Sequence, residues 1–210
     1  MHCPLCENDK VADYYQDKKR PYLQCTNCSL VFVPASHHLS PSMEKAEYDK
    51  HENDLNDQGY INFLSRLINP MLERIEVNSH GLDMGCGPAP ALAKQFEKLG
   101  HTMSLFDLYY FNDDTVLQQR YDFVTCTEVI EHIAKPKAFV ELLLNLLKPN
   151  ASLGLMTKLV INPERFANWH YKNDPTHICF YSRETFDFIA NKYNLNVEFV
   201  GQDVILINTI

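Results

Sequence analysis

The sequence is poor in glycine, in cationic side chains and in long apolar runs. Only seven glycines occur in 210 residues, so glycines standing close together point to a backbone requirement rather than to filler. Nineteen Lys and Arg face 27 Asp and Glu, a net charge of −8. That balance argues against a broad phosphate-neutralising face, and so against nucleic acid as a partner. No apolar run approaches membrane-spanning length, so no membrane span is expected. Met1-His2-Cys3-Pro4 lacks the charged and apolar regions of a secretory signal, and a cytoplasmic protein is the expectation. Internal repeats and low-complexity tracts are also missing. What remains is enough chain to bury a full core, as one α/β domain with a small appendage.

The cysteines are plentiful by contrast. Seven in a chain expected to be cytoplasmic read as ligands and buried thiols rather than disulfides. Cys3-Pro4-Leu5-Cys6 and Cys25-Thr26-Asn27-Cys28 are two Cys-x-x-Cys knuckles eighteen residues apart. Each aims two thiolates at one ion, and together Cys3, Cys6, Cys25 and Cys28 complete a tetrahedral four-sulfur site for a structural Zn²⁺. A redox or disulfide-linked module is the competing reading. Val11–Tyr15, Pro21–Gln24 and Ser29–Val33 would supply the strands of such a zinc ribbon. Lys10, Lys18, Lys19 and Arg20 form its one basic group, a thin basis for docking nucleic acid. The division expected is 1–35 ribbon, 36–78 helical connector or cap, and 79–210 α/β domain. In the connector, Tyr48, His51, Asn53 and Tyr60 either face a ligand or lie along a solvated helix. Ile61–Ile75 has helical apolar spacing, with a kink or break at Pro70.

Three of the seven glycines fall in Gly81-Leu82-Asp83-Met84-Gly85-Cys86-Gly87-Pro88-Ala89-Pro90. A strand ends there in a tight turn, and the apolar-periodic run Ala91–Leu99 begins a helix whose unpaired N–H groups favour a nucleotide-like ligand. A dinucleotide fingerprint needs a third glycine where Pro90 stands, which disfavours NAD and FAD. Asp83, two residues before the first glycine, suits a cationic group such as the ammonium of a methionine moiety. The next strand, His101–Phe106, ends in Asp107, placed to accept hydrogen bonds from both ribose hydroxyls, with Leu108 beside it. Tyr121–Thr127 reads as a further strand. A helix opened by Pro136, a strand Ala151–Lys158, a helix Arg183–Tyr193 and strands Asn194–Val200 and Val204–Ile207 complete the domain.

Asp83-x-Gly85-x-Gly87 resembles motif I of class I S-adenosylmethionine (SAM) methyltransferases. Tyr121-Asp122-Phe123-Val124, Thr127-Glu128-Val129-Ile130-Glu131-His132 and Lys148-Pro149-Asn150 extend that resemblance over roughly residues 80–160. Ribbon included, the chain is similar to zinc-ribbon-bearing methyltransferases of the type 11 and type 23 kind. The resemblance implies a Rossmann-like sheet of seven strands with the last antiparallel. It also implies SAM held by Asp83, Gly85, Cys86, Gly87, Asp107, Leu108, Thr127 and Glu128. The segment 108–120 departs from the class: it is too short for the usual helix, strand and loop, and would bring Asp113 or Asp114 near the adenine.

Glu128-x-x-Glu131-His132 is similar to the metal-ligating motif of ubiquinone-biosynthesis O-methyltransferases, which act on catechol-like rings, and of small-RNA 3′-end 2′-O-methyltransferases. A later histidine completes those sites, and His177 is the candidate here. By that resemblance Glu128, Glu131, His132 and His177 would bind Mg²⁺, Mn²⁺ or Zn²⁺. In metal-free relatives such histidines act as bases or cap helices, so His132, His177 and Glu131 stand equally as catalytic groups without a metal. Trp169-His170-Tyr171 and Asp174 read as an aromatic wall over the acceptor, or as core. Cys86, Cys126 and Cys179 lie in apolar contexts expected of buried, inert thiols. The function implied is SAM-dependent methylation of a small molecule at oxygen. An RNA or protein methyltransferase with the ribbon as docking module, and a non-catalytic SAM-binding protein, are the alternatives.

Overall fold

The computed structural model describes residues 1–50 and 57–209. Its larger sheet is assembled from β4 (His80–Met84), β5 (Thr102–Phe106), β6 (Tyr121–Thr127), β7 (Leu147–Met156), β9 (Leu195–Val200) and β10 (Val204–Thr209), in the order β5-β4-β6-β7-β10-β9. The first four strands run parallel, while β10 is antiparallel to both β7 and β9. The α/β, Rossmann-like architecture is the expected one, but among the described residues the sheet has six strands rather than seven. After β5 the chain makes a single bridge between Asp107 and Phe111, turns through a 3₁₀ segment at Asp114–Gln118 and enters β6 directly. The short 108–120 segment has no length for another strand, so β5 is the edge.

Helices cover both faces because parallel strands must bury both. On one side, α2 (Gln58–Leu72) and α3 (Ala91–Lys98) lay Leu67, Met71, Leu92 and Phe96 against Phe123, Met156 and Leu206. Gly154 in β7 permits the close approach of α2: a Cβ there would stand 2.7 Å from Met71 Sδ and 2.8 Å from Leu67 Cδ1. Pro70 lies inside α2, which runs through it and ends at Leu72. On the other side, α4 (Pro136–Asn145) and α6 (Arg183–Tyr193) contribute Val140, Leu143, Phe186 and Ile189 to the core. A Ser182–Thr185 capping box starts α6, and Asn194 in the left-handed region ends it. No helix among the described residues is long and apolar enough to cross a membrane.

The amino-terminal strands β1 (Val11–Gln16), β2 (Pro21–Cys25) and β3 (Val31–Phe32) form an antiparallel ribbon that does not stand apart. β3 pairs with β8 (Cys179–Phe180), so the second sheet has the order β1-β2-β3-β8. A short helix, α5 (Pro163–Ala167), sets Phe166 against Tyr22 and Phe180, with ring centroids 5.0 and 5.4 Å away. Arg20, grouped above with exposed lysines, is instead buried at 6% exposure. It is not a docking cation.

Candidate functional site

The glycine turn is imposed by steric demand. Gly85 and Gly87 have φ of +77° and +65°, and a Cβ on Gly85 would overlap the Val129 side chain. The amides of Gly85 and Cys86 both donate to Phe106 O, at 2.8 and 3.2 Å. Asp107 then ties the turn to the tip of β5. Its Oδ2 accepts from the Gly87 amide at 3.0 Å, and its Oδ1 accepts from the amides of Tyr109 and Tyr110 at 2.9 and 3.1 Å.

Asp83 sits below this turn, and the expectation that it touches a ligand cation is corrected by its position. It is buried, absent from the cavity wall, and accepts a 3.0 Å hydrogen bond from Thr125 Oγ1. Burial pushes its carboxyl up to about 7; the bonds from Thr125 and the Ala93 amide oppose this, and the Asp107 charge adds to it. The native state therefore holds a proton that the unfolded chain has released above about pH 4. Stability is full below that pH and falls as pH rises through 7, with a limiting slope of about 1.4 kcal/mol per pH unit. In Asp83→Asn this pH-dependent component should vanish. Urea midpoints from pH 5 to 8.5 test it, and parallel profiles for the two proteins would refute the assignment.

Beside the turn opens a cavity of about 860 Å³, towards the upper end of the range for small-molecule sites and roomy enough for a cofactor with a second molecule. One end is walled by Gly85, Cys86, Gly87, Asp107, Leu108, Thr127 and Glu128, all named from the sequence. Asp113 and Asp114 are not in the wall; Leu117 and Val129 occupy that side, and Asp113 caps the 3₁₀ segment by accepting from the Thr115 amide at 2.9 Å. Thr127 Oγ1 and Glu128 Oε1 are buried without a hydrogen-bond partner among the described residues. Glu128 also has φ +52°, a strained value for its residue type. Burial pushes its carboxyl up to about 7, against the pull of the Tyr171 hydroxyl and Lys158. Such orphaned atoms fit a ligand that brings hydrogen-bonding groups of its own.

The wall also collects His132, His170, Tyr171, Asp174 and His177, with α1 (Pro41–Tyr48) as a roof whose Tyr48 lies 5.3 Å from the His132 ring and whose Glu44 accepts from Tyr48, while Tyr60 of α2 lines the side of Glu128. His51 and Asn53 lie outside the described residues. Trp169 does not reach the wall; it packs among Phe166, Tyr171 and Phe180. His132 Nδ1 bonds Thr176 O at 3.2 Å and His177 Nδ1 bonds Tyr171 O at 2.7 Å. A carbonyl only accepts, so each Nδ1 carries a hydrogen, and in the neutral ring Nε2 carries the lone pair. The rings lie 4.6 Å apart, and Glu131, His132 and His177 bring one ligand atom each within 4.8 Å of one another.

Glu131 is fully buried, accepts from Tyr171 OH at 2.5 Å through Oε1, and leaves Oε2 unpartnered among the described residues. Burial and the nearby Glu128 push its carboxyl up to about 8. Glu128 is not among the converging ligand atoms, which corrects the four-residue divalent set to three. Two further groups had no signal in the sequence. Lys158 sits in the wall against His170 Nε2 at 3.1 Å. Tyr109 and Tyr110 pin the roof through hydroxyl bonds of 3.1 Å to Glu44 and 2.7 Å to Asp49.

In the ribbon, Cys3, Cys6, Cys25 and Cys28 place their sulfurs within 4.8 Å of one another, with Cys3–Cys28 at 3.5 Å and Cys6–Cys25 at 3.4 Å. A tetrahedral zinc with bonds of about 2.3 Å sets its sulfurs about 3.8 Å apart, so this donor set fits. The Cys28 thiol, helped by the amides of Cys6 and Leu5, lowers the Cys3 thiol against its burial, and Asn27 N donates to Cys25 Sγ at 3.4 Å, as thiolate ligands require. Glu7 and Ser29, each following a knuckle, share left-handed φ values of 61° and 60°. Cys25→Ser removes one of the four donors, so the variant should hold zinc less tightly than the wild type and gain less in melting temperature from it. Metal analysis of the purified variant checks this; full zinc retention would point to another ligand set. Cys126 and Cys179 are buried thiols, while Cys86 is half-buried at the turn.

A parallel sheet ending in an antiparallel strand, with a glycine turn after its first strand and an acid at the tip of the second, is the architecture of class I SAM-dependent methyltransferases. The model of a family described as "Methyltransferase domain" matches residues 56–199, and the chain belongs to that family. Similar solved structures include a SAM-dependent methyltransferase from Archaeoglobus fulgidus, with 16% identity over 70% of this chain and 93% of that one, at a TM-score of 0.56. Another is the 1,6-didemethyltoxoflavin-N1-methyltransferase of Burkholderia thailandensis with bound 1,6-didemethyltoxoflavin and S-adenosylhomocysteine, 12% identical over 93% and 97% of the chains, TM-score 0.55. A third is an O-methyltransferase family protein from the same organism, 13% identical over 79% of this chain and 59% of that one, TM-score 0.54. At these identities the likeness is one of fold. No curated protein matches the chain in sequence.

Proposed function

We propose that this methyltransferase acts on a hydroxyl oxygen of a small molecule, with His132 and His177 serving the acceptor and the four ribbon cysteines holding a structural zinc. The reading rests on the two imidazoles: both Nδ1–H groups are committed to carbonyls, so in the neutral rings both Nε2 atoms carry lone pairs, and both residues line the cavity. When bound, SAM supplies a methyl group activated by its sulfonium. The chain's own work is alignment, exclusion of water and acceptance of the hydroxyl proton. Burial lowers His177, which keeps its ring neutral and able to take that proton. Asp174 Oδ2, 3.8 Å from His177 Nε2, would then stabilise the resulting imidazolium. Tyr48 and Tyr171, with rings 5.3 Å from His132 and 4.2 Å from His177, give the acceptor flat aromatic walls. Thr127, Glu128, Asp107 and Leu108 are left for the cofactor.

Glu131, His132 and His177 also fit a divalent ion, and the second nitrogen of each imidazole already donates to a carbonyl, as in ligating histidines. Mg²⁺, Mn²⁺ or Zn²⁺ there would supply a lowered hydroxyl pKa. Metal analysis of the purified protein, with Mn²⁺ calorimetry on wild type and His132→Ala, tests the ion. Labelled-SAM transfer to a panel of catechols, phenols, amines and RNA tests the acceptor. Transfer confined to amines or RNA would overturn the oxygen assignment.

A further inference from the structure

We infer that Arg20 is a positioning residue for both imidazoles, so that the ribbon carrying it is part of the acceptor half of the site rather than a docking module. The inference rests on reading the His132–His177 end as that half. Arg20 ends the turn between β1 and β2, where Asp17 Oδ1 accepts from the amides of Lys19 and Arg20 at 2.7 and 2.8 Å. Its guanidinium points inward and spends its donors on main chain: Nη1 to Pro175 O at 3.0 Å, and Nη2 to Lys172 O at 2.9 Å and Asp174 O at 2.7 Å. Nε donates to Tyr22 OH at 3.1 Å. A rigid fork bonded to three carbonyls of one loop dictates the path of that loop.

The loop is the one that orients the site. Tyr171 O and Thr176 O, either side of the gripped residues, accept from His177 and His132 respectively, and Asp174 O also accepts from the His177 amide at 3.3 Å. Tyr171 in turn donates to Glu131. The ribbon holds the far side as well, through Val33 N to Ile178 O at 2.9 Å and the β3–β8 pairing. Cys25 N to Leu30 O at 3.0 Å and Ser29 N to Cys25 O at 3.0 Å carry the geometry of the knuckle into β3. The glycine turn and Asp107 belong to β4 and β5, which pair with neither β3 nor β8. Loosening the ribbon should therefore reach the imidazoles and leave the glycine turn and Asp107 in place.

A buried arginine that only stabilised the fold would show no such asymmetry. The test uses the full chain with ring-labelled histidine, following His132 and His177 by NMR (assigned with His132→Gln and His177→Gln), beside calorimetry with S-adenosylhomocysteine. In Arg20→Met both resonances should move, while His80 of β4 does not and cofactor-product affinity stays within about twofold. Arg20→Lys, which keeps the charge without the fork, should restore them only in part, and it carries the same comparison if Arg20→Met does not fold. Chelation of the zinc should reproduce the Arg20→Met pattern. Unmoved His132 and His177 signals would overturn the inference. So would S-adenosylhomocysteine affinity falling in parallel, which would make Arg20 a support of the whole fold. Failure to methylate any hydroxyl would sink the functional reading without touching these signals.

Discussion

Asp107→Ala should weaken S-adenosylhomocysteine binding by at least about 100-fold. A carboxylate accepting both ribose hydroxyls makes two charge-assisted hydrogen bonds, each of about 1.5–3 kcal/mol, and every 1.4 kcal/mol is tenfold in affinity. The same carboxylate also holds the amides of Gly87, Tyr109 and Tyr110. Its removal unties the glycine turn and the backbone of the two tyrosines that pin α1, so preorganisation is lost as well. Asp107→Asn keeps one acceptor oxygen and the shape, and should lose about tenfold. Calorimetry at constant salt decides it. Unchanged affinity in the alanine variant would remove Asp107 from the ribose role.

His132→Ala should lower kcat by about 10²–10⁴, the span of a general-base contribution, with little change in cofactor affinity. His132 shares its part of the cavity wall with His177, and its Nδ1 bonds Thr176 O rather than the cofactor-side residues Asp107, Thr127 or Glu128. His177→Gln is the informative companion. Glutamine can still donate to Tyr171 O yet cannot accept a proton, so it separates orientation from basicity. If His177 is the base, its burial-lowered pKa places the acidic limb of the kcat/KM profile below the ordinary imidazole range, with activity lost as pH falls through it. Should both variants retain wild-type kcat, neither imidazole takes the proton.

Some of this was open to reading before any fold was known. Local chemistry writes itself into spacing: two Cys-x-x-Cys knuckles, two glycines with positive φ after an acid, and a run from Tyr121 to Thr127 that is a strand in the structure as in the pattern. Asp107, Leu108, Thr127 and Glu128 line the cavity because each follows or ends a strand, and a strand end is a local property. Asp83 was placed in the ligand's path for the same reason, yet its burial under the turn depends on Thr125 of a different strand. Asp113 and Asp114 were misplaced because the short segment closes into a 3₁₀ turn capped by Asp113 itself. The shortness of 108–120 marks where a strand is forgone, but not which of its residues then turn toward the cavity.

The sequence by itself determined the chemistry on offer: the glycine turn, the acid after the second strand, the four thiols and the two histidines, since each depends on residue type and near-neighbour spacing. Tertiary structure alone decided which groups meet. His132 and His177 stand 45 positions apart and share one loop's carbonyls. Arg20 reaches that loop from across the chain, turning a residue that reads as a surface cation into a buried clamp. The reason is physical: a guanidinium leaves water when a set of carbonyls compensates it, and those carbonyls are brought together by β3 pairing with β8, a contact with no signature in either strand.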